Sequence, residues 1–189
     1  EKSPVRISLK TRLGMEDASE FMALMNIYNK YPAEELIIHP RVQKDFYKNT
    51  PDLQAFARAA DISRIPVCYN GDIFSVEDYE RFTERFPGTD RVMTGRGVLK
   101  DPSLARKLRG GRGADKEELR RFHDILYAGY CEEMSGDRTI LYKMKELWTY
   151  LAPLFSDSKK YAKKIKKAEK CIVYEQIIED FFAETEVQP

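Results

Sequence analysis

The sequence predicts an α/β fold: four strand–helix units, then helices to the end of the chain. Three observations carry this. Short β-branched or apolar runs alternate with longer amphipathic runs across residues 1–108. The chemically informative polar residues of that stretch stand at the C-terminal ends of the strand-like runs. Beyond Arg109-Gly110-Gly111-Arg112-Gly113 the strand-like runs stop and apolar residues recur at helical spacing.

The elements follow in order. Val5 to Lys10 reads as a strand, and Ala18 to Tyr31 as a helix with Phe21, Leu24, Met25 and Tyr28 on one face. Glu35 to His39 is a strand, and Asp52 to Ala60 a helix bearing Leu53 and Phe56. Ile65 to Tyr69 is a strand. Ser75 is a natural N-cap for a helix to Phe86, with Asp78 three residues on as a capping-box variant. Arg91 to Thr94 is a strand, and Asp101-Pro102 opens a helix to Leu108, since proline suits the first turn. Strands alternating with helices predict a parallel sheet. Four such units fall short of a closed barrel of eight and leave two bare sheet edges, through which the chain is expected to self-associate. The glycine-rich run at 109–113 reads as a linker, giving domains at 1–108 and 109–189. In the second, Lys116–Met134, Ile140–Leu154 and Lys159–Phe182 are predicted helices of a bundle.

Composition excludes more than it suggests. Lys plus Arg number 32 and Asp plus Glu 31, so net charge selects no partner. Three cysteines, Cys68, Cys131 and Cys171, lack metal or redox spacing and predict a reducing, cytoplasmic setting. No apolar run approaches the roughly 18 residues of a membrane span. The chain begins at Glu1-Lys2-Ser3-Pro4 without methionine and runs straight into a strand, which suggests a fragment.

The polar strand ends predict the site. Lys10 and Arg12 end the first strand, and His39 and Arg41 the second. Asn70-Gly71-Asp72 follows the third, and Gly95-Arg96-Gly97 the fourth. In a βα barrel that rim builds the active site. Glycines let backbone N–H groups approach an anion, and Arg96 offers a donor fork for phosphate oxygens, so the last two loops read as a phosphate cradle. Ordinary glycine turns are the alternative. Lys10 points to the barrel mouth if Leu9 faces outward, where a cation stabilises negative charge. His39 is a donor or base. Arg41 reads as a phosphate or base contact, or as a salt bridge to Asp45. His123, beside Phe122 in an amphipathic helix, reads as structural, as do the cysteines. In the second domain Lys143 and Lys145 precede Trp148 and Tyr150. Lysines 159, 160, 163, 164, 166, 167 and 170 crowd one helix. That charge suits nucleic-acid phosphates or is a solvated face.

The segments Leu9-Lys10-Thr11-Arg12-Leu13-Gly14, Ile38-His39-Pro40-Arg41, Ile65 through Ile73, Val92 through Gly97 and Leu141 through Tyr150 resemble, in order, the tRNA-dihydrouridine synthase family. The resemblance implies a half TIM barrel, strands five to eight, followed by a helical tRNA-binding domain. It implies FMN as cofactor, NADPH as hydride donor and tRNA as partner, with reduction of the C5–C6 bond of uridine. It assigns Lys10, His39, Asn70, Gly71, Asp72, Gly95 and Arg96 to FMN, and Arg12, Arg41, Lys143 and Lys145 to the RNA. The sequence departs from the family pattern at Pro40, Val42 and Tyr69. The glycine-cysteine-proline loop whose cysteine protonates the uracil has no counterpart, so the chain alone is expected to lack turnover. Two other readings remain open: a non-catalytic RNA-binding or self-associating fragment, and another FMN-binding TIM-barrel oxidoreductase.

Overall fold

The structure, a computed structural model, describes residues 5–188. The chain divides into two compact units, Glu1–Gly95 and Arg96–Pro189.

The first unit is a parallel sheet with helices on one face. Its strands are β1 (Ser8–Arg12), β2 (Glu35–His39), β3 (Val67–Asn70) and β4 (Val92–Met93), in the order β1-β2-β3-β4. Between them run α1 (Glu20–Tyr28), α2 (Leu53–Ile62) and α3 (Val76–Arg85). Leu36 and Ile38 from the sheet pack with Phe21 and Met25 of α1, Phe56 and Ala59 of α2, and Phe82 of α3. Burying these apolar groups is what fixes the helices against the sheet. Successive strand residues face opposite ways, so Ile37 and Cys68 turn from this core to the other face. One-sided helix cover on a parallel sheet is consistent with half of a TIM barrel.

Local signals set the helix starts. Asp52 Oδ1 accepts from the N–H groups of Gln54 and Ala55, and Ser75 Oγ from Asp78 N–H. Asp78 in turn accepts from the N–H of Phe74, one residue before the cap. α1 begins later than its apolar pattern suggests. The Glu20 carboxylate gathers the N–H groups of Met15, Glu16 and Asp17, which holds those residues in a loop. β1 also runs two residues later than predicted, because its pairing with β2 takes Thr11 opposite Ile38 and Arg12 opposite His39. Arg12 is therefore a strand residue.

The second unit is helical: α4 (Arg96–Lys100), α5 (Leu104–Lys107), α6 (Lys116–Glu133), α7 (Asp137–Leu151), α8 (Lys159–Lys167) and α9 (Cys171–Glu184). Helix begins at Arg96, directly after Gly95, rather than at Asp101-Pro102. Pro102 has no N–H to extend α4. Asp101 Oδ1 instead accepts from the N–H and Oγ of Ser103, which starts α5. The glycine-rich run is a pinned corner of this unit. Arg106 donates to the carbonyls of Arg112 and Gly113, and Ala114 N–H to Ser103 Oγ.

Trp148, Phe155, Tyr161, Tyr174 and Phe181 form the core of the helical unit. Its polar atoms are satisfied in a chain. Trp148 Nε1 donates to Tyr174 Oη at 2.7 Å, and Tyr174 Oη lies 2.6 Å from His123 Nε2. The tyrosine accepts from tryptophan and donates to histidine. His123 then carries its proton on Nδ1, 2.8 Å from Asp124 Oδ1. Burial pushes the His123 pKa down. His123 is thus structural, as its apolar setting predicts. Among the described residues no helix is long and apolar enough to cross a membrane.

Candidate active site

Alternation along the strands assembles the site. Leu9 packs against the helix-side core, and Thr11 Oγ1 lies 3.0 Å from Tyr28 Oη on α1. Lys10 and Arg12 therefore stand on the opposite face, away from the core formed with α1, α2 and α3. Register places Lys10 opposite Ile37 and Arg12 opposite His39. Ile38 pairs with Tyr69, so His39 lies level with Asn70, which pairs with Met93. Arg12, His39, Asn70 and Met93 thus form a row across the C-terminal edge of the sheet, with Lys10 two residues below Arg12.

Each member of the row is held. Arg12 Nη1 donates to Val42 O at 2.9 Å, and its guanidinium lies 5.8 Å from the centre of the Tyr47 ring. Burial and the neighbouring Arg12 charge push the pKa of the Lys10 ammonium down, with Cys68 opposing. His39 is only 6% exposed. Burial, then Arg12, Arg41 and Lys10, push its pKa down to about 4, so it is neutral at neutral pH. Asn70 Nδ2 donates to Met93 O at 2.8 Å, tying the ends of β3 and β4.

Arg41 is 2% exposed. Its partner is Asp72, not Asp45: Nη1 reaches Oδ1 at 3.2 Å and Nη2 reaches Oδ2 at 2.5 Å. Asp45 instead accepts from Asn49 Nδ2 and from Val42 N–H. The sequence presents Arg41 and Asp72 as ligand contacts; the structure joins them to each other. The loops at the ends of β1 and β2 are also zipped, with Leu13 N–H on Arg41 O at 3.0 Å and Gln43 N–H on Gly14 O at 2.9 Å.

The two glycine loops differ. A Cβ on Gly71 would stand 2.0 Å from Tyr69 Oη, so glycine there makes room for the tyrosine ring. A Cβ on Gly95 would meet nothing within 4 Å, and that position is open. Arg96 is the first residue of α4, in the second unit.

Lys143 and Lys145 lie on α7 of the second unit, half-buried. Lys145 lines an open groove of about 690 Å³ with Arg138, Tyr142 and Lys170. Sequence reasoning passed over Phe46 and Tyr47, which are 66% and 57% exposed beside the row. The Tyr47 ring centre is 6.1 Å from that of His39. The signal was present: consecutive aromatics in a polar loop just past a strand end.

None of the three cysteines joins the row. Cys68 is buried mid-strand, its thiol pushed up to about 11 mainly by burial, and Cys131 and Cys171 are on helices of the second unit. What the row offers is donors: two cations, an amide and a neutral imidazole. Such a set suits a flat ring rich in carbonyl oxygens or one carrying negative charge.

Comparison with known proteins gives the family. The family model described as dihydrouridine synthase (Dus) matches residues 1–187. The tRNA-dihydrouridine(16) synthase of Ralstonia nicotianae is 37% identical over 109 residues, which is 57% of this chain and 33% of that protein. The enzyme of the same name from Cupriavidus necator is 29% identical over 163 residues, 79% of this chain and 50% of that protein. The chain thus spans half or less of these curated relatives. The strand-end motifs and the extent of the family match lead to one assignment: the chain belongs to the dihydrouridine synthase family.

Proposed function

We propose that the chain supplies the flavin-holding strand ends and an RNA-contacting helical unit of an FMN-dependent tRNA-dihydrouridine synthase. The observation that carries this is the row of donors at one edge of a parallel sheet. Lys10 and Arg12 face away from the helix-side core, beside a neutral His39. FMN fits this set, because its ring bears carbonyl oxygens and is negatively charged when reduced. Bound there, FMN would supply hydride chemistry, with NADPH as the source. Lys10 would stabilise the charge of the ring, and His39 would donate to an oxygen of the ring or of the target base. Asn70, Gly71 and Asp72 would shape the wall on the ribityl side, and Gly95 and Arg96 would meet the phosphate. Arg12, with Tyr47 against it, would face the uridine, which must leave its stack to reach the ring.

Lys143, Lys145 and the lysines of α8 would hold tRNA phosphates. Lys163, Lys164, Lys166 and Lys167 of α8 are exposed, while Tyr161 and Ile165 of the same helix are buried. The names of the relatives point to uridine 16 as the target. No cysteine stands at the row, so this chain by itself would not complete the proton transfer. The three cysteines are free, in keeping with a cytoplasmic protein.

The test uses a protein of the relatives' full length that carries these residues, with NADPH, FMN and tRNA. The expected product is a uridine heavier by two hydrogens. Replacing Lys10 with alanine should slow its formation at least about tenfold, the worth of a charge-assisted hydrogen bond. Absence of dihydrouridine with the unaltered protein would overturn the reading.

A further inference from the structure

We propose that Arg41, clamped by Asp72, fixes the tautomer of His39, so that the imidazole presents Nδ1–H as a neutral donor at the strand ends. Arg41 Nη1 lies 3.0 Å from His39 Nε2. A guanidinium has five donors, no acceptor, and does not lose its proton in proteins. His39 Nε2 must therefore accept. A neutral imidazole that accepts at Nε2 carries its proton on Nδ1.

The clamp is built to hold this arrangement. The Asp72 carboxylate takes both terminal nitrogens of Arg41, at 3.2 and 2.5 Å, and Asn49 O takes Nε at 2.5 Å. A bidentate pair fixes orientation as well as distance. The backbone adds to it: Arg41 N–H donates to His39 O at 2.7 Å, closing a tight corner between the two residues. Arg41 is 2% exposed and His39 6%, so water does not compete for the bond. The charges facing His39 are Arg12, Arg41, Lys10 and Asp72, three cations against one carboxylate. They disfavour imidazolium and leave the donor tautomer of the neutral ring.

The consequence divides the site into groups that touch a ligand and groups that position them. Arg41 and Asp72 are positioning residues. His39 gives a hydrogen bond to a carbonyl oxygen or ring nitrogen, and is not the acid that delivers a proton near neutral pH. That ligand is the flavin or base of the function proposed above, and in this respect the inference rests on it.

The experiment is ¹⁵N spectroscopy of the imidazoles in the intact chain. The sequence has 2 histidines, and a His39→Gln variant assigns them. His39 is expected to show a protonated Nδ1 and an unprotonated Nε2, unchanged as pH falls through the ordinary histidine range. In Arg41→Met the two tautomers should average, and Asp72→Asn should move the signals in the same direction to a smaller extent. An averaged or Nε2-protonated His39 in the unaltered chain would overturn the proposal, even if both variants fail to fold. Addition of FMN separates the two readings. A shift at Nδ1 with the tautomer kept supports both. The expected tautomer with no response to FMN leaves the positioning role standing and removes the flavin as its ligand.

Discussion

At the end of β3 the Tyr69 ring occupies the space a side chain on Gly71 would need. The ring is stacked on Phe82 with centroids 4.1 Å apart and meets Phe56 edge-on at 5.0 Å. It is set by the helix-side core, and burial pushes its hydroxyl up to about 12. Gly71→Ala should therefore displace the ring and cost about 1–3 kcal/mol, the range for overpacking, as read from urea unfolding. An unaltered midpoint would show that the ring moves aside freely. The glycine was legible as a special position; its reason was not, because the ring's orientation depends on helices distant in sequence. Lys10 was legible through strand alternation once the direction of Leu9 is given, whereas Arg12, expected past the strand, shares its face because β1 pairs with β2 as far as His39. The Arg41–Asp72 pair was not, since it spans two loops and nothing local distinguishes Asp72 from Asp45 as partner.

The histidines also set a pH dependence. The folded pKa of His39 is about 4, below its ordinary 6.5, and that of His123 is lowered too. The unfolded chain therefore binds more protons as pH falls below 6.5, and stability is lost in that direction. Carboxylates with lowered pKa values, such as Glu118 and Glu20, lose their contribution only below their ordinary 4.5. Stability should thus fall as pH drops from 6.5 toward 4.5, and His39→Gln should flatten part of that slope. A flat profile in the unaltered chain would show that the imidazoles are not held neutral.

At the scale of elements, caps and alternation made most of the first unit readable. Asp52 and Ser75 start α2 and α3 where their chemistry says they should. Asp52→Ala should cost about 1 kcal/mol, the usual worth of an N-cap, in thermal or urea unfolding. Breaks without proline or glycine were not readable. The stretch 159–182 looks like one helix, yet it divides at Ala168, whose backbone turns extended while its side chain is buried. The break lets Tyr161 and Ile165 on α8, and Tyr174, Ile178 and Phe181 on α9, all enter one core. It also ends α8 at Lys164, Lys166 and Lys167, where cations favour a helix C-terminus. Those lysines and Lys163 leave one face strongly basic. Replacing Lys163, Lys164, Lys166 and Lys167 with glutamine should weaken tRNA binding and make its salt dependence shallower, by roughly one unit of slope for each phosphate no longer neutralised. An unchanged slope would make the face merely solvated.

At the scale of the whole molecule, the parallel sheet with helix cover on one side and the separate helical unit account for the order of the sequence motifs. The half-barrel reading extends this: the face turned away from α1, α2 and α3 carries the donors, and β1 and β4 are the sheet's edges. The family match over residues 1–187 covers both units, although the chain spans only half or less of the relatives. Chain order, strand direction and the polar strand ends were all present in the sequence. The division of the units between Gly95 and Arg96 was not, because the glycine-rich run at 109–113 looks like a linker and folds as a corner held by Arg106.

The most direct measurement is a titration of the purified chain with FMN, followed by flavin fluorescence. Donors at the strand ends that hold a flavin predict a saturable change, weakened about tenfold or more in Lys10→Ala. No saturable change with the unaltered chain, or binding equally tight in Lys10→Ala, would contradict the placement of FMN at these strand ends.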